Sequence, residues 1–351
     1  MKAILLAGGQ GTRLRPLTLH TPKPIVPIFG RPFLTYQIDL IRQVPEITEV
    51  ILSLNYQPQR IEEVFGDGSS VGVPIRYLVE PAPLGTGGAI KFAEPHLDDT
   101  VVVFNGDVLT QIDLRAVIAQ HRERRARATI VLTPVENPTA YGLVETDADS
   151  NVTRFLEKPK ADEITCNTIN AGIYVLEPDT FDRIPPGTNY SIERLYFPSL
   201  VERKETFAAY VYRGYWIDIG TPEKYSAVHR DIMDGRFQAP PFDGDASRVV
   251  VSPSASIDPS VVLTGPCFID EGVVIKAGAR IGAHSVIGKG CHLEDGVQVD
   301  GAIIWPNTWI GRDAVVRDAI VGRSCHVGRS AQLGAAALLG DKTVLTDYTR
   351  A

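Results

Sequence analysis

The chain is short of several things, and each shortage narrows what it can be. Its four cysteines, Cys166, Cys267, Cys291 and Cys325, never form a C-x-x-C pair, which speaks against a zinc site or a disulfide framework and for reduced, buried thiols. No apolar run reaches the length of a membrane span, and the first one ends before Gly8, too short for a signal segment. A cytoplasmic location is the expectation. There is no basic excess either: 35 Lys and Arg stand against 42 Asp and Glu, a formal net charge of −7. A general nucleic-acid binder needs a basic face, so any affinity for phosphate has to be local. Apolar residues make up 44% of 351 residues, enough for the cores of about two domains.

What is present starts at the N-terminus. Residues 1–7 read as a short buried strand around Ile4, Leu5 and Leu6, followed by Gly8-Gly9-Gln10-Gly11-Thr12-Arg13-Leu14-Arg15-Pro16 and then Pro22-Lys23-Pro24. Gly8, Gly9 and Gly11 leave backbone amides bare, and consecutive bare amides can wrap an anion. Arg13 and Lys23 add two cations, the second held between prolines that restrict the backbone around it. Phosphate is the ligand this chemistry suits. A dinucleotide fingerprint starting at Gly9 would need glycine where Leu14 stands, and a P-loop would need Gly-Lys-Ser/Thr where Gly11-Thr12-Arg13 stands. The plain structural alternative is a tight strand-to-helix turn with surface cations.

From this loop to about residue 111 strands and helices alternate. Helices are expected at 32–44 and 57–65, strands at 49–54, 75–79 and 101–104, which together mean a largely parallel sheet covered by helices. Ligands on such sheets gather beyond the carboxyl ends of the strands. The glycine loop, Glu80 and Asn105-Gly106-Asp107 all follow strands, so they should converge on one rim. Residues 128–176 read as shorter, more polar strands folded over that sheet as an antiparallel region. Later, Tyr215-Trp216-Ile217-Asp218 should be a strand ending in a carboxylate, after which Thr221 caps a helix starting at Pro222. Two such aspartates, Asp107 and Asp218, beside phosphates are what Mg²⁺ needs, although a lone aspartate after a strand more often serves a turn. Residues 235–256, rich in proline, glycine and serine, look like a linker.

Beyond it the sequence has a period of six. Ile257, Leu263, Ile269, Ile275, Ile281, Ile287, Leu293 and Val299 keep register; the pattern steps by five to Ile304, runs through Ile310 and Val316, steps by five to Val321, and resumes at Val327, Leu333 and Leu339. One apolar residue in six is the hexapeptide signature of a parallel β-helix, here of about five coils.

Gly-Thr-Arg-Leu-Arg-Pro with Pro-Lys-Pro at this spacing resembles the signature of the sugar-1-phosphate nucleotidylyltransferases, the nucleotide-sugar pyrophosphorylases. Glu80 to Gly88, Tyr141-Gly142, Glu157-Lys158-Pro159 and Asn170-Ala171-Gly172 are similar to that family's other motifs. The resemblance covers residues 1–234 and implies a Rossmann-like α/β domain of the GT-A type, mostly parallel, followed by a left-handed parallel β-helix at 257–351. It implies that Leu6, Gly8, Gly9, Gly11, Thr12, Arg13, Glu80, Gly85 and Thr86 bind the nucleotide, and that Asn105, Gly142, Glu157, Lys158 and Asn170 bind the sugar phosphate. Arg13, Lys23, Asp107 and Asp218 would be catalytic, the two aspartates as Mg²⁺ ligands.

Glu80 bears on the base. A carboxylate only accepts hydrogen bonds, and guanine offers two adjacent donors, whereas uracil and thymine present a donor flanked by acceptors. GTP is the expected nucleotide, and the resemblance implies mannose 1-phosphate as the first sugar, with heptose 1-phosphate and GTP, or glucose 1-phosphate and dTTP or UTP, as the alternatives. A non-catalytic subunit that binds nucleotide sugar is the alternative of another class. His284, His292 and His326 lie within the coils, where related repeat domains carry an acyltransferase base, but no long insert supplies an acyl-carrier site and solvent-facing positions are the simpler reading. The β-helix more simply serves assembly, and a homo-oligomer is expected. Arg13→Ala should lower turnover severely while leaving the β-helix folded, which steady-state rates and circular dichroism on the same preparation would check.

Overall fold

Val101, Val102, Val103 and Phe104 are all fully buried, which requires a strand covered on both faces. In the computed structural model, which describes residues 1–242, 245 and 247–351, they lie inside a nine-stranded sheet. The chain packs as two compact units, residues 1–9 with 34–218 and residues 10–33 with 219–351.

In the first unit the parallel strands are Lys2–Leu6 (β1), Glu49–Leu54 (β2), Ile75–Val79 (β3) and Val101–Asn105 (β4). β1 runs parallel to both β2 and β4, and β2 to β3. Helices Phe33–Ile41 (α1), Pro58–Phe65 (α2) and Gly85–Ala93 (α3) connect these strands, and Leu114–Glu123 (α4) follows the last of them. α2 buries Ile61 and Phe65, one turn apart on one face. α4 is capped by Asp113, whose carboxylate accepts from the Arg115 amide at 3.1 Å. A short ribbon joins Val108–Thr110 (β5) to a later strand, as described below.

Ala128–Pro134 (β6), Gly142–Thr146 (β7), Val152–Glu157 (β8), Thr168–Leu176 (β9) and Phe207–Val211 (β10) complete the sheet. The antiparallel region expected to fold over the parallel strands instead continues them edgewise. The reason is β9, nine residues long, which pairs antiparallel with β4 through Ile173–Leu176 and with β6 along most of its length. One ladder therefore carries both halves. The helical segment near 192–203 is a π-helical turn, Ile192–Tyr196, followed by Phe197–Glu202 (α5). Phe197 stacks on Phe207 at 5.1 Å and meets Tyr174 and Phe155 edge-on or tilted, an aromatic cluster that locks α5 to β8, β9 and β10.

In the second unit Pro222–Met233 (α6) is capped by Thr221, as the sequence predicts, with the hydroxyl accepting from the Lys224 amide at 3.4 Å. The strands that follow are two or three residues long and form three parallel sheets, a left-handed β-helix. Ile257 stacks on Ile275, then Leu293, Ile310, Val327 and Leu345. The first strand, Val249–Val251, pairs with Cys267–Ile269; residues 243, 244 and 246 of the expected linker lie outside the described residues. From Gly272 onward the corners carry a residue with positive φ, several of them glycine, asparagine or aspartate, as at Gly290, Asn307 and Asp313, which tolerate that region. Both five-residue steps fall at one corner in successive coils, where Gly301 and Asp318 stack through Asp318 N to Asp300 O at 2.9 Å. The shortened turns thus keep each other in register.

The thiols are free, and burial pushes Cys291 up to about 12 and Cys267 to about 11, so neither is a nucleophile at neutral pH. Among the described residues no helix is long and apolar enough to cross a membrane. Ile304 is fully buried in the coil interior and Gln298 faces outward. Ile304→Ala should cost about 2–5 kcal/mol in urea unfolding and Gln298→Ala less than about 0.5 kcal/mol.

Candidate active site

Four parallel strands end level with one another. Leu6 lies opposite Ser53 on one side and Asn105 on the other, and Leu54 opposite Val79. Just beyond, the Ala7 amide donates to Ser53 O at 3.0 Å, the Gly106 amide to Leu6 O at 3.0 Å and the Glu80 amide to Leu54 O at 2.8 Å. Gly8, Glu80 and Asp107 therefore leave the sheet on one rim, as the strand pattern predicts. Gly9 is exposed with open space around it, whereas a Cβ on Gly106 would sit 2.5 Å from Leu6 O.

Glu80 is buried. Its Oε1 accepts from the Ser53 hydroxyl at 2.9 Å and its Oε2 from the Leu84 amide at 3.0 Å. Each oxygen keeps a further lone pair for a ligand donor, and a Cβ on Gly8 would lie 3.4 Å from Oε1. Of the Glu80 to Gly88 motif, the residues from Gly85 on form the first turn of α3. Gly85 has φ +69°, and a Cβ on Gly88 would meet Thr188 O at 2.5 Å, so these glycines admit the 188–192 segment against the helix. Apolar Ala89, Ile90 and Ala93 on one side of the run were the signal for that helix. Thr86 bridges the two segments, accepting from the Ile192 amide at 2.9 Å and donating to Glu193 Oε2 at 2.8 Å.

A second group gathers along β7, β8 and β9. Gly142 pairs with Glu157, and a Cβ on it would lie 3.0 Å from Glu157 Oε2. Lys158, at φ +52°, is tied by its amide to Tyr141 O at 3.0 Å and leaves an exposed side chain. Asn170 Oδ1 accepts from the Gly172 amide at 2.8 Å while its Nδ2 donates to Tyr174 OH at 2.9 Å. Gly172 turns at φ +75° directly against Asn105 Nδ2. Asn105 Oδ1 is buried and finds no hydrogen-bond partner among the described residues, a feature expected where a ligand hydroxyl donates. Trp216 Nε1 donates to Ala171 O at 2.8 Å, and its ring meets Tyr141 edge-on at 5.6 Å.

Glu193 was missed from sequence. Besides Thr86, the Ser191 hydroxyl donates to its Oε2 at 2.7 Å. Its charge faces Glu157: burial first, and Glu193 second, raise the Glu157 carboxyl above its ordinary value, with Lys158 and Arg194 opposing. The π-helical turn beginning at Ile192 marks the place, since such turns collect at functional sites, but nothing in the sequence shows one.

The ribbon brings Asp107 and Asp218 to neighbouring backbone positions: Trp216–Asp218 (β11) runs antiparallel to β5 with Asp218 opposite Val108, the residue after Asp107. Two hard oxygen donors fit a divalent ion that takes its remaining ligands from phosphate and water. Among the described residues no three His, Cys, Asp or Glu side chains form a closed metal cage.

The other predicted residues belong to the second unit. Gly11, at φ +60°, opens a 3₁₀ turn, Thr12–Leu14, and its carbonyl accepts from the Thr18 hydroxyl at 2.7 Å. A Cβ on Gly11 would lie 3.2 Å from Lys23 Cβ, so the glycine turn and the Pro-Lys-Pro turn are one cluster. Arg13 is exposed on it, anchored through its neighbour Leu14, which is buried. The three coil histidines are engaged: His284 Nε2 lies 2.7 Å from Asp234 Oδ1, and His292 and His326 stack on either side of Trp309 at 4.0 and 6.5 Å.

Two tests follow from this geometry. Gly106→Ala forces a methyl onto the Leu6 carbonyl and should lower unfolding free energy by about 1–3 kcal/mol, read by urea titration. For Glu157, a raised folded pKa means that folding favours the neutral acid, so its contribution is present below its ordinary 4.5 and is lost as pH rises through the folded value. Glu157→Gln, always neutral, should gain stability relative to the native chain at about pH 8 compared with about pH 5.

A family model described as nucleotidyl transferase matches residues 2–235, and one described as GMPPB C-terminal domain matches residues 263–350. The chain is 40% identical to mannose-1-phosphate guanylyltransferase of Mycobacterium tuberculosis over 86% of this chain and 82% of that one. It is 33% identical to UTP–glucose-1-phosphate uridylyltransferase of Synechocystis over 93% and 88%. Among solved structures, HddC from Yersinia pseudotuberculosis matches with a TM-score of 0.55 at 31% identity, over 64% of this chain and 96% of that one. With the matched region running through the glycine turn, the strand-end rim and the aspartate ribbon, the chain belongs to the nucleotidyl transferase family, as a sugar-1-phosphate nucleotidyltransferase carrying a C-terminal β-helix.

Proposed function

We propose that the protein condenses mannose 1-phosphate with GTP to give GDP-mannose and pyrophosphate. The observation that carries the choice of base is the buried Glu80 carboxylate at the strand-end rim, held by Ser53 and Leu84. It can accept from both donors on the guanine edge but would repel the flanking acceptors of uracil or thymine. The relative named for mannose 1-phosphate and guanylyl transfer, 40% identical, supports the same choice.

In the proposed reaction an oxygen of the sugar 1-phosphate attacks the α-phosphorus of GTP. The new P–O bond forms as the bond to the β-phosphate bridging oxygen breaks, and pyrophosphate leaves with that electron pair. A phosphate monoester, with a second pKa of about 6, is already largely dianionic, so no general base is needed. Arg13 and Lys23 neutralise the triphosphate, Gly8, Gly9, Gly11 and Thr12 present backbone to it, and Leu6, Gly85 and Thr86 frame the nucleoside. Lys158 holds the sugar phosphate, while Glu157, Asn105, Asn170 and the bare backbone of Gly142 take the sugar hydroxyls. Asp107 and Asp218 would hold Mg²⁺, which when bound supplies charge neutralisation at the phosphates. Assignment of catalysis to residues 1–234, a linker at 235–256 and a β-helix at 257–351, a cytoplasmic location, and a homo-oligomer formed through the β-helix belong to the same proposal.

Pyrophosphate release should be measured for mannose, heptose and glucose 1-phosphates against GTP, dTTP, UTP and ATP. GTP with mannose 1-phosphate is expected to lead, EDTA to abolish turnover and Mg²⁺ to restore it. Glu80→Gln should reduce the preference for GTP over UTP roughly tenfold or more. A native preference for dTTP or UTP overturns the reading of Glu80.

A further inference from the structure

The turn that carries Lys23 is held at both ends by the coils. Upstream, Thr21 is almost fully buried and its hydroxyl donates to Asp341 Oδ2 at 3.1 Å. Downstream, Trp305 Nε1 donates to Tyr225 OH at 3.0 Å, and that hydroxyl donates to Pro27 O. Between these two anchors the backbone closes on itself, with the Ile25 amide on Pro22 O at 2.9 Å and the Val26 amide on Lys23 O at 3.2 Å.

Asp341 is itself rigid. Its Oδ1 accepts from the Arg323 amide of the preceding coil at 2.8 Å, and Asp347 makes the same bond one corner later, to the Arg329 amide at 2.8 Å. In Asp347 the second oxygen reaches Arg329 Nε, 3.8 Å away, on that same preceding coil. In Asp341 the second oxygen reaches Thr21. One corner aspartate therefore only ties its coil to the one before, and its neighbour also tethers the residue two places before Lys23. Packing agrees, since a Cβ on Gly340 would lie 3.0 Å from Pro16 Cβ and 3.3 Å from Pro16 O, so a bare residue is needed where the coil meets the loop.

We infer that Asp341 is a positioning residue for the triphosphate cation: through Thr21 it sets the backbone of Pro22–Val26 and so the reach of Lys23. A group misplaced by about 1 Å can cost about a hundredfold in rate. The inference rests on the reading of Lys23 as a phosphate ligand, and its tests separate the two.

In the full chain, Asp341→Ala and Thr21→Val should each speed hydrogen exchange of amides in residues 12–26 while leaving the strand amides of the sheet unchanged. Asp347→Ala, which removes the same corner bond without the tether, should leave that segment as it was. With GTP and mannose 1-phosphate, Asp341→Ala should lower kcat/KM for GTP roughly tenfold or more with the KM for the sugar phosphate unmoved. The double variant with Thr21→Val should be no worse than either single one. Asp341→Asn, whose amide can donate to the Thr21 hydroxyl while its oxygen keeps the Arg323 amide, should restore most of the rate. Unchanged exchange in Asp341→Ala, or equal change in Asp347→Ala, overturns the tether. Altered exchange with native kcat/KM overturns the positioning role. An inactive native chain would sink the functional reading instead, leaving the exchange result to stand by itself.

Discussion

The register of one strand decides where the chemistry can be. β1 is hydrogen-bonded on both sides, and because Leu6 stands opposite both Ser53 and Asn105, the chain leaves three strands at one level. Ala3, Ile4 and Leu5 are fully buried in a row, so both faces of β1 are covered, and a slip of one residue would exchange the side chains packed on each face and move the strand end off the rim. The close approach of Gly106 to the Leu6 carbonyl depends on it, as does the place where Asp107 starts the ribbon. Glu80 reaches the same level through β2 and β3 and then finds Ser53, itself defined by that register.

Around this rim the side chains trade stability for reach. Glu80 and Glu193 are each satisfied through hydroxyl or amide donors rather than a basic partner, which keeps their positions fixed without cancelling their charge. Glu157 is different: burial and Glu193 work against its ionised form and Lys158 and Arg194 only partly offset them. A carboxylate left in that state gains more from a sugar hydroxyl than a solvated one would, because its charge is poorly solvated to begin with. The orphan Asn105 Oδ1 fits the same pattern.

How much of this is legible in the letters depends on the range of the interaction. The coils are readable almost to the residue, because each hexad repeats the same local demand, an inward apolar side chain and a corner that tolerates positive φ; even the two short steps announce themselves. The rim is readable because strands followed by glycine, glutamate or asparagine have few ways to end. α3 was hidden by its glycines, which look like loop residues until the 188–192 segment is packed against them. The edgewise continuation of β9 and the role of Glu193 depend on partners far away in sequence, and no local pattern encodes them.

The grouping of residues 10–33 with the coils changes what a β-helix can be for. A solenoid whose every turn is braced by its neighbours deforms little, and its corner aspartates sit at fixed intervals. Asp341 uses that rigidity in two directions, inward to the Arg323 amide and outward to Thr21. The Tyr225 hydroxyl does likewise between Trp305 and Pro27. A glycine-rich turn has a bare, adaptable backbone, and that freedom makes its geometry costly to hold. The contacts of Thr21 with Asp341 and of Pro27 with Tyr225 and Trp305 fix the ends of this segment on the coils, so the repeat offsets part of that cost.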